Sequence, residues 1–558
     1  MANVTRNIGL SLGADICWPG CYEEIVKRLN LSVPHGGDTL DFHVERVTVE
    51  PYYLRQPVRY DLVLDRLTHW FHTSREWIKK AVIMDGLYVL NNPWSLQSME
   101  KHTTYSAMMK LGMPIPETWM IPPKEMMSDN PDVHPTMERY GRHFKLDEIG
   151  ERLGYPFFMK PYDGGAWVGV SRIDNPRQLH EAYESSGKRV MHLQKAVDPF
   201  DLFVRAIGVG PQVHIVKYDP AAPLHDRYKV DFFFVDGEEW QILTDTCLTI
   251  NAFFGWEFNS CESLRKDGIF HPIDFANACP DFQVTSLHYH FPELVKNMVR
   301  WTLFCAATKR EMQMNQDWKP FYAIAKQDLP YNERLKGYAK IANERMETDR
   351  FREWCDKHLS HLDEVALEFF GTDVAKGYVR QKVAALFPQH EVPRFTEHFW
   401  GLIQFWRKTE TDRLNHTKAA KQAQAEQGQQ PIHIDTQAPQ EAPQFQSPGE
   451  QGSNTAAGPD GGSNDLVSSN VGANDSGSDA GTSISSTDSA PASGSGEVLM
   501  PQVPTAGAVA QEPASAEAGA ALMTGTSGKP APAASKTAAP ASKPGGKFNG
   551  KKPGKGKN

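Results

Sequence analysis

The chain has 558 residues with 59 Lys+Arg against 68 Asp+Glu, a formal net charge of −9 that is unremarkable for a folded body. All seven Cys and all thirteen Trp lie at or before Trp406, and residues 421–558 hold only two aromatics, Phe445 and Phe548, so a globular part of about 420 residues is expected. No apolar run approaches the ~20 residues needed to span a bilayer, and the opening MANVTRNIGLSLGADICW lacks the basic start and long apolar core of a signal peptide, which points to a soluble, cytoplasmic protein.

In chain order, NIGLSLG (7–13) reads as a short apolar strand, and YEEIVKRLNL (22–31) as a helix with Ile25, Val26 and Leu29 on one face. FHVERVTVE (42–50), YDLVLDRL (60–67) and LYVLNNP (87–93) read as strands, so residues 1–94 are expected to form a small parallel α/β domain. GADICWPG (13–20) does not match GxGxxG and no acid follows a second strand at the required place, which argues against a dinucleotide site. Ser95 to Met109 reads as a helix stopped at Gly112, followed by a Pro-punctuated strand through MPIPETW.

YPFFMKPYDGGAWVGVSRI (155–173) reads as strand, glycine-bearing loop and strand; NPRQLHEAYESS (175–186) is a helix with an Asn cap; RVMHLQKAV (189–197) is a strand. Val204–Pro220 and Val230–Leu243 are expected as further strands, DTCLTINAFFGW as a helix, and NSCESLRKDGIFHPIDFAN as two strands around Asp267-Gly268. Residues 95–290 therefore form an α+β domain. From Phe291 to about Leu414 the pattern is helical, with Leu294, Val295, Met298, Trp301 and Cys305 on one face. The tail, 421–558, is expected to be disordered. Its residues 421–527 carry 12 acids and one Lys, whereas 528–558 carry eight Lys and no acid. That Lys-rich tip is the one segment that suits nucleic acid or an acidic partner.

Seven scattered Cys form no CxxC pair and read as reduced, buried thiols; Cys17 and Cys21 have metal-ligand spacing but no second pair nearby. The chemistry concentrates at Lys160, delivered by an apolar strand to the Gly164-Gly165 loop, where an ammonium and side-chain-free backbone suit a polyphosphate. No Walker motif competes in the folded part, and GGKFNGKK (545–552) in the tail lacks the Ser/Thr.

Lys101, a helix, MPIPETW, Lys160 and its loop, Gln194-Lys195-Ala196-Val197, Asp201, Arg205, and finally Glu262, Asp274 and Asn277 follow one another in an order that resembles the ATP-grasp superfamily of carboxylate–amine ligases, such as glutathione synthetases and ribosomal-protein glutamate ligases. The resemblance covers about 95–290 and implies an ATP-grasp fold preceded by the α/β domain and followed by a helical extension, 291–420. It implies Lys101 and Lys160 on the ATP phosphates, the Gln194–Val197 backbone on the adenine edge, and Asp201 (or Asp198) on the ribose. Glu262, Asp274 and Asn277 would hold two Mg2+ ions, with Mn2+ as a substitute. Glu257-Phe258-Asn259 is the alternative source of the second pair, because Asp274 and Asn277 are one residue wider apart than the family's Glu-x-Asn.

Arg205 and Arg227 are the candidates to stabilise an acyl-phosphate and a tetrahedral oxyanion, with Lys229 beside Arg227 and with His288 and His290 near an amine acceptor. The implied reaction activates a small-molecule or peptide carboxylate with ATP and joins it to an amine, or to a thiol. A phosphotransferase on the same fold and a non-catalytic ATP-binding scaffold are the other readings. Oligomeric state is open, a homo-oligomer included.

Overall fold

The computed structural model describes residues 3–426, apart from 12, 14, 36, 67–70, 97–99, 126–129, 163–167 and 278. The tail beyond 426 lies outside the described residues. Strands β1 (Asn3–Ser11), β2 (Ser32–His35), β3 (Asp38–Arg46), β4 (Leu62–Asp65) and β5 (Tyr88–Leu90) form one sheet in the order β2-β3-β1-β4-β5. β1 runs parallel to β3 and β4, and β4 to β5, while β2 adds an antiparallel edge. Alternation along β4 explains why both faces are covered: Leu62 and Leu64 pack with the helix Cys17–Leu29, whereas Val63 packs with Ile78, Ala81 and Val82 of the helix His72–Asp85.

The next sheet contains β6 (Thr118–Ile121), β7 (Phe157–Pro161), β8 (Ser171–Ile173) and β9 (Met191–Lys195), antiparallel in the order β6-β9-β7-β8. Phe157, Met159, Met191 and Leu193 form a core with Leu153 and Leu179 from the helices Leu146–Leu153 and Pro176–Ser186. The period of two therefore turns Lys160, His192 and Gln194 to the opposite face.

A third sheet is built from β10 (Leu202–Val209), β11 (Gln212–Tyr218), β12 (Tyr228–Lys229), β13 (Phe258–Lys266) and β14 (Ile269–Asn277), antiparallel in the order β12-β11-β10-β13-β14. The strand expected over 230–243 is not formed. Phe232 and Phe233 lie in an exposed loop, and a helix runs from Gly237 to Phe254 across β10, β11 and β13. Its start is set by a capping box: Asp236 accepts from the Glu239 amide at 2.9 Å, and Glu239 accepts from the Asp236 amide at 3.2 Å. That local signal outweighs the β propensity of Phe-Phe-Phe-Val.

Helices follow from Phe291–Thr308 to Val392–Glu426. They do not form a separate core, because one apolar cluster runs from Ile8 through Val204, Phe275 and Trp301 to Trp406. Gly210 turns β10 into β11 at φ +56°, where a Cβ would meet the Trp301 ring, so the helix Phe291–Thr308 seats directly on the hairpin. Among the described residues no helix is long and apolar enough to cross a membrane.

Lys296 is 1% exposed and holds Glu293, Asp363 and Glu410 at 2.7, 2.9 and 3.0 Å. Arg300 and Arg413 complete the set on Asp363 at 2.8 and 3.3 Å. Burial alone would raise the Asp363 carboxyl, but Lys296 and Arg300 hold it well below the usual carboxylate range. Lys296→Met is expected to cost about 3–5 kcal/mol in urea unfolding at neutral pH by leaving buried acids uncompensated, and the deficit should shrink as pH falls through the carboxylate range.

Candidate active site

The candidate catalytic residues meet across three neighbouring strands. Arg205 of β10 stands opposite Glu262 of β13, and Glu262 opposite Asp274 of β14, so the three share one row on one face of the sheet. Arg205 donates to the Glu262 carboxylate and to the Tyr228 hydroxyl. Its guanidinium also lies 5.1 and 5.3 Å from the Tyr218 and Tyr228 ring centres, so two aromatic faces fix its orientation. Neither tyrosine was singled out by the sequence reading. Their one signal is the alternation that turns both rings to the face of Arg205.

Asn277 pairs with Ser260. A register shift between Ser260 and Glu262 absorbs the extra residue separating Asp274 from Asn277, and returns the Asn277 position to the side of the row. Glu257 and Asn259 are committed elsewhere. Glu257 accepts from Arg310, Tyr88 and, at 3.0 Å, the Trp301 indole; fully buried Asn259 donates to Asn251 at 2.9 Å and to the Phe275 carbonyl at 3.0 Å.

Lys101 opens the helix Lys101–Lys110 rather than preceding it, and its ammonium pairs with the Asp274 carboxylate. The same helix packs on β6 and β14, and Tyr105 donates to the Ile273 carbonyl at 2.6 Å. Lys160 donates to Gln194 at 2.7 Å, and Gln194 in turn to Thr118 at 3.2 Å. Burial, reinforced by Lys101, lowers the Lys160 ammonium to about 8 against the pull of Asp274. Burial would raise Asp274, but Lys101, Lys160 and Arg205 hold its carboxyl below the ordinary range.

Other candidates are not brought to this row. Lys195 donates to the Gly154 carbonyl at 2.6 Å, and Val197 is buried just beyond β9. Asp201 is held by Arg265 at 2.7 Å and Asp198 by Arg172 at 2.6 Å. Arg227 donates to the Ala222 carbonyl at 3.0 Å and closes its own loop, while Lys229 pairs with Asp226 at 2.8 Å. His290 is buried against His214 at 3.0 Å and the Lys229 carbonyl at 3.1 Å, and His288 is equally buried, so neither presents an acceptor surface. The seven cysteines are free thiols, Cys17 and Cys21 both buried. Gly164 and Gly165 lie outside the described residues.

Among the described residues no group of three or more His, Cys, Asp or Glu side chains is placed to hold a metal. Glu262 and Asp274 stand opposite each other with Asn277 one pairing further along, and Asp274 Oδ1 is buried without a partner. Hard oxygen donors of this kind, one of them uncommitted, fit Mg2+ better than a softer ion.

No protein-family model matches the chain. Over 88 residues, 15% of this chain, it is 31% identical to a D-alanine–D-alanine ligase of Heliobacterium modesticaldum, and over 101 residues it is 27% identical to D-alanine–D-alanine ligase B of Chromobacterium violaceum. These matches span 24% and 33% of the two relatives.

Solved structures similar to this chain include a Bacillus anthracis D-alanine–D-alanine ligase complexed with ATP, with a TM-score of 0.38 and 14% identity over 55% of this chain and 100% of that one. A RimK-domain ATP-grasp protein from Sphaerobacter thermophilus gives 0.34 and 12% over 48% of this chain and 90% of that one.

Within this core, the lowered Lys160 ammonium has a measurable consequence. Between about 8 and the ordinary lysine value near 10.4 the unfolded chain binds more protons than the folded one, so this lysine opposes folding below about 8 and the opposition fades as pH rises. Lys160→Met should therefore melt higher than the native chain at pH 7, with the gap closing toward alkaline pH. A variant that melts lower at pH 7 would contradict the assignment.

Proposed function

We propose that this chain is an ATP-dependent carboxylate–amine ligase working through an acyl-phosphate, with ADP and phosphate as the other products. The observation that carries the reading is the row Arg205–Glu262–Asp274, joined to Lys101 and lying beside Lys160. It offers two cations for phosphate oxygens, two carboxylates and an amide for a metal, and a fixed guanidinium for developing negative charge. Local similarity to enzymes named D-alanine–D-alanine ligases supports the same reaction class.

In this reading Lys101 and Lys160 hold the triphosphate while a substrate carboxylate oxygen attacks its γ-phosphorus and ADP leaves. The substrate amine then adds to the acyl carbon, Arg205 stabilises the tetrahedral oxyanion, and phosphate departs. Glu262, Asp274 and Asn277 would hold Mg2+, which supplies charge neutralisation on the phosphate oxygens. Tyr218 and Tyr228 flank the Arg205 guanidinium, so that its position is set before substrate arrives.

The test is phosphate release from ATP by the full chain, offered D- and L-amino acids, short peptides and diamines. A panel member should raise free phosphate together with a new amide product, and Glu262→Ala should lower that turnover about 100-fold or more, in keeping with the several kcal/mol that a metal contributes. Full activity in Glu262→Ala would sink the metal assignment. Phosphate appearing on the product instead of in solution would point to a phosphotransferase.

A further inference from the structure

The two lysines are not the only unbalanced polar groups on this face. His192 stands directly opposite Lys160 in the β7–β9 pairing and is 0% exposed. Neither of its ring nitrogens has a hydrogen-bond partner. Its ring meets Tyr105 edge-on, centroids 5.5 Å apart. On the neighbouring helix, His102 follows Lys101, is partly exposed, and leaves its Nδ1 buried and unpartnered. Three imidazole nitrogens are thus unmet beside two ammonium groups, and Lys101 is itself engaged by Asp274 Oδ2.

An unmet buried polar atom costs about 1–3 kcal/mol, and His192 carries two of them where a phenylalanine would fill the same space at no such cost. The cost is explained when a ligand supplies the missing acceptors. Burial, with Lys160, Lys101 and His102 around it, holds the His192 imidazole well below its ordinary value, so it stays neutral and keeps one N–H to donate. Two lysines and the N-terminal end of the ten-residue helix Lys101–Lys110 make the acceptor an anion. A neutral donor adds a directed bond to that anion without adding a further cation to a crowded site.

We propose that His192, with His102, binds phosphate oxygens and completes, with Lys101 and Lys160, a site for the polyphosphate of a nucleoside triphosphate. The assignment rests on the nucleotide reading above and extends it to residues outside the motif order. Calorimetric titration of the full chain with Mg2+ and the non-hydrolysable imido analogue of ATP, and separately with adenosine, tests it. His192→Phe should weaken the imido analogue about tenfold, the scale of one lost hydrogen bond to a charged group, leave adenosine unchanged, and melt higher than the native chain without nucleotide. His192→Gln, which keeps an N–H donor, should bind within about threefold of the native chain.

Unchanged affinity in His192→Phe, alongside loss in Lys160→Met, would overturn the histidine assignment and leave the nucleotide reading standing. A native chain that binds neither compound would remove both. If His192→Phe does not fold, histidine ring signals of the native chain are followed by NMR as inorganic triphosphate is added. Saturable shifts of the His192 and His102 signals support the site, and their absence overturns it.

Discussion

The ion pair between Lys101 and Asp274 is the contact on which the arrangement of the site depends. Lys101 sits at the start of a helix that packs on β6 of the four-stranded sheet and on β14 of the five-stranded sheet, and its amide donates to the Tyr162 carbonyl just beyond β7 at 3.0 Å. One buried residue, through its side chain on Asp274 and its amide on Tyr162, thereby ties the strand that carries Asp274 to the end of the strand that carries Lys160. In this low-dielectric setting Lys101, Lys160 and Arg205 together hold the Asp274 carboxyl down, while burial, with Lys101 beside it, lowers the Lys160 ammonium against the pull of Asp274. The site is short of negative charge, a condition that the polyphosphate proposed above would relieve.

The same sheet separates structural from chemical polar residues by face. Asn259 is buried and bonded to Asn251 of the covering helix, while Ser260 and Glu262 alternate onto the side of Arg205. Glu257, just before β13, is taken up by Arg310, Tyr88 and Trp301, where it ties the helix Phe291–Thr308 to the N-terminal sheet. Polar residues a few positions apart thus serve the core or the site according to the side of the sheet they reach.

Much of this was legible from local pattern. The apolar strands, the glycine stop at Gly112, the Asn175 cap and the Asp267-Gly268 hairpin follow from periodicity and turn chemistry, and all appear in the structure. The stretch 230–243 misled because Phe-Phe-Phe-Val favours a strand by composition, while Asp236 and Glu239 start a helix through two specific hydrogen bonds. The motif order drew attention to Lys101, Lys160, Arg205, Glu262 and Asp274, which do come together. Tyr218, Tyr228 and His192 were passed over because their relevance lies in which strand stands opposite, and no local period encodes that. Arg227 shows the converse: a charged residue of the right type and order, turned to a backbone carbonyl of its own loop.

By itself the amino-acid sequence determined most of the strand and helix segments, 230–243 excepted, and which residue types are available for phosphate and metal chemistry, because composition, period and capping act over a few residues. Tertiary structure alone decided which acids face Arg205, that a bulge compensates the wide spacing of Asp274 and Asn277, and that His192 lies unpartnered across from Lys160. Strand register and sheet order set those relations. They arise from burying whole faces at once, so distant segments rather than neighbouring residues choose which side chains meet.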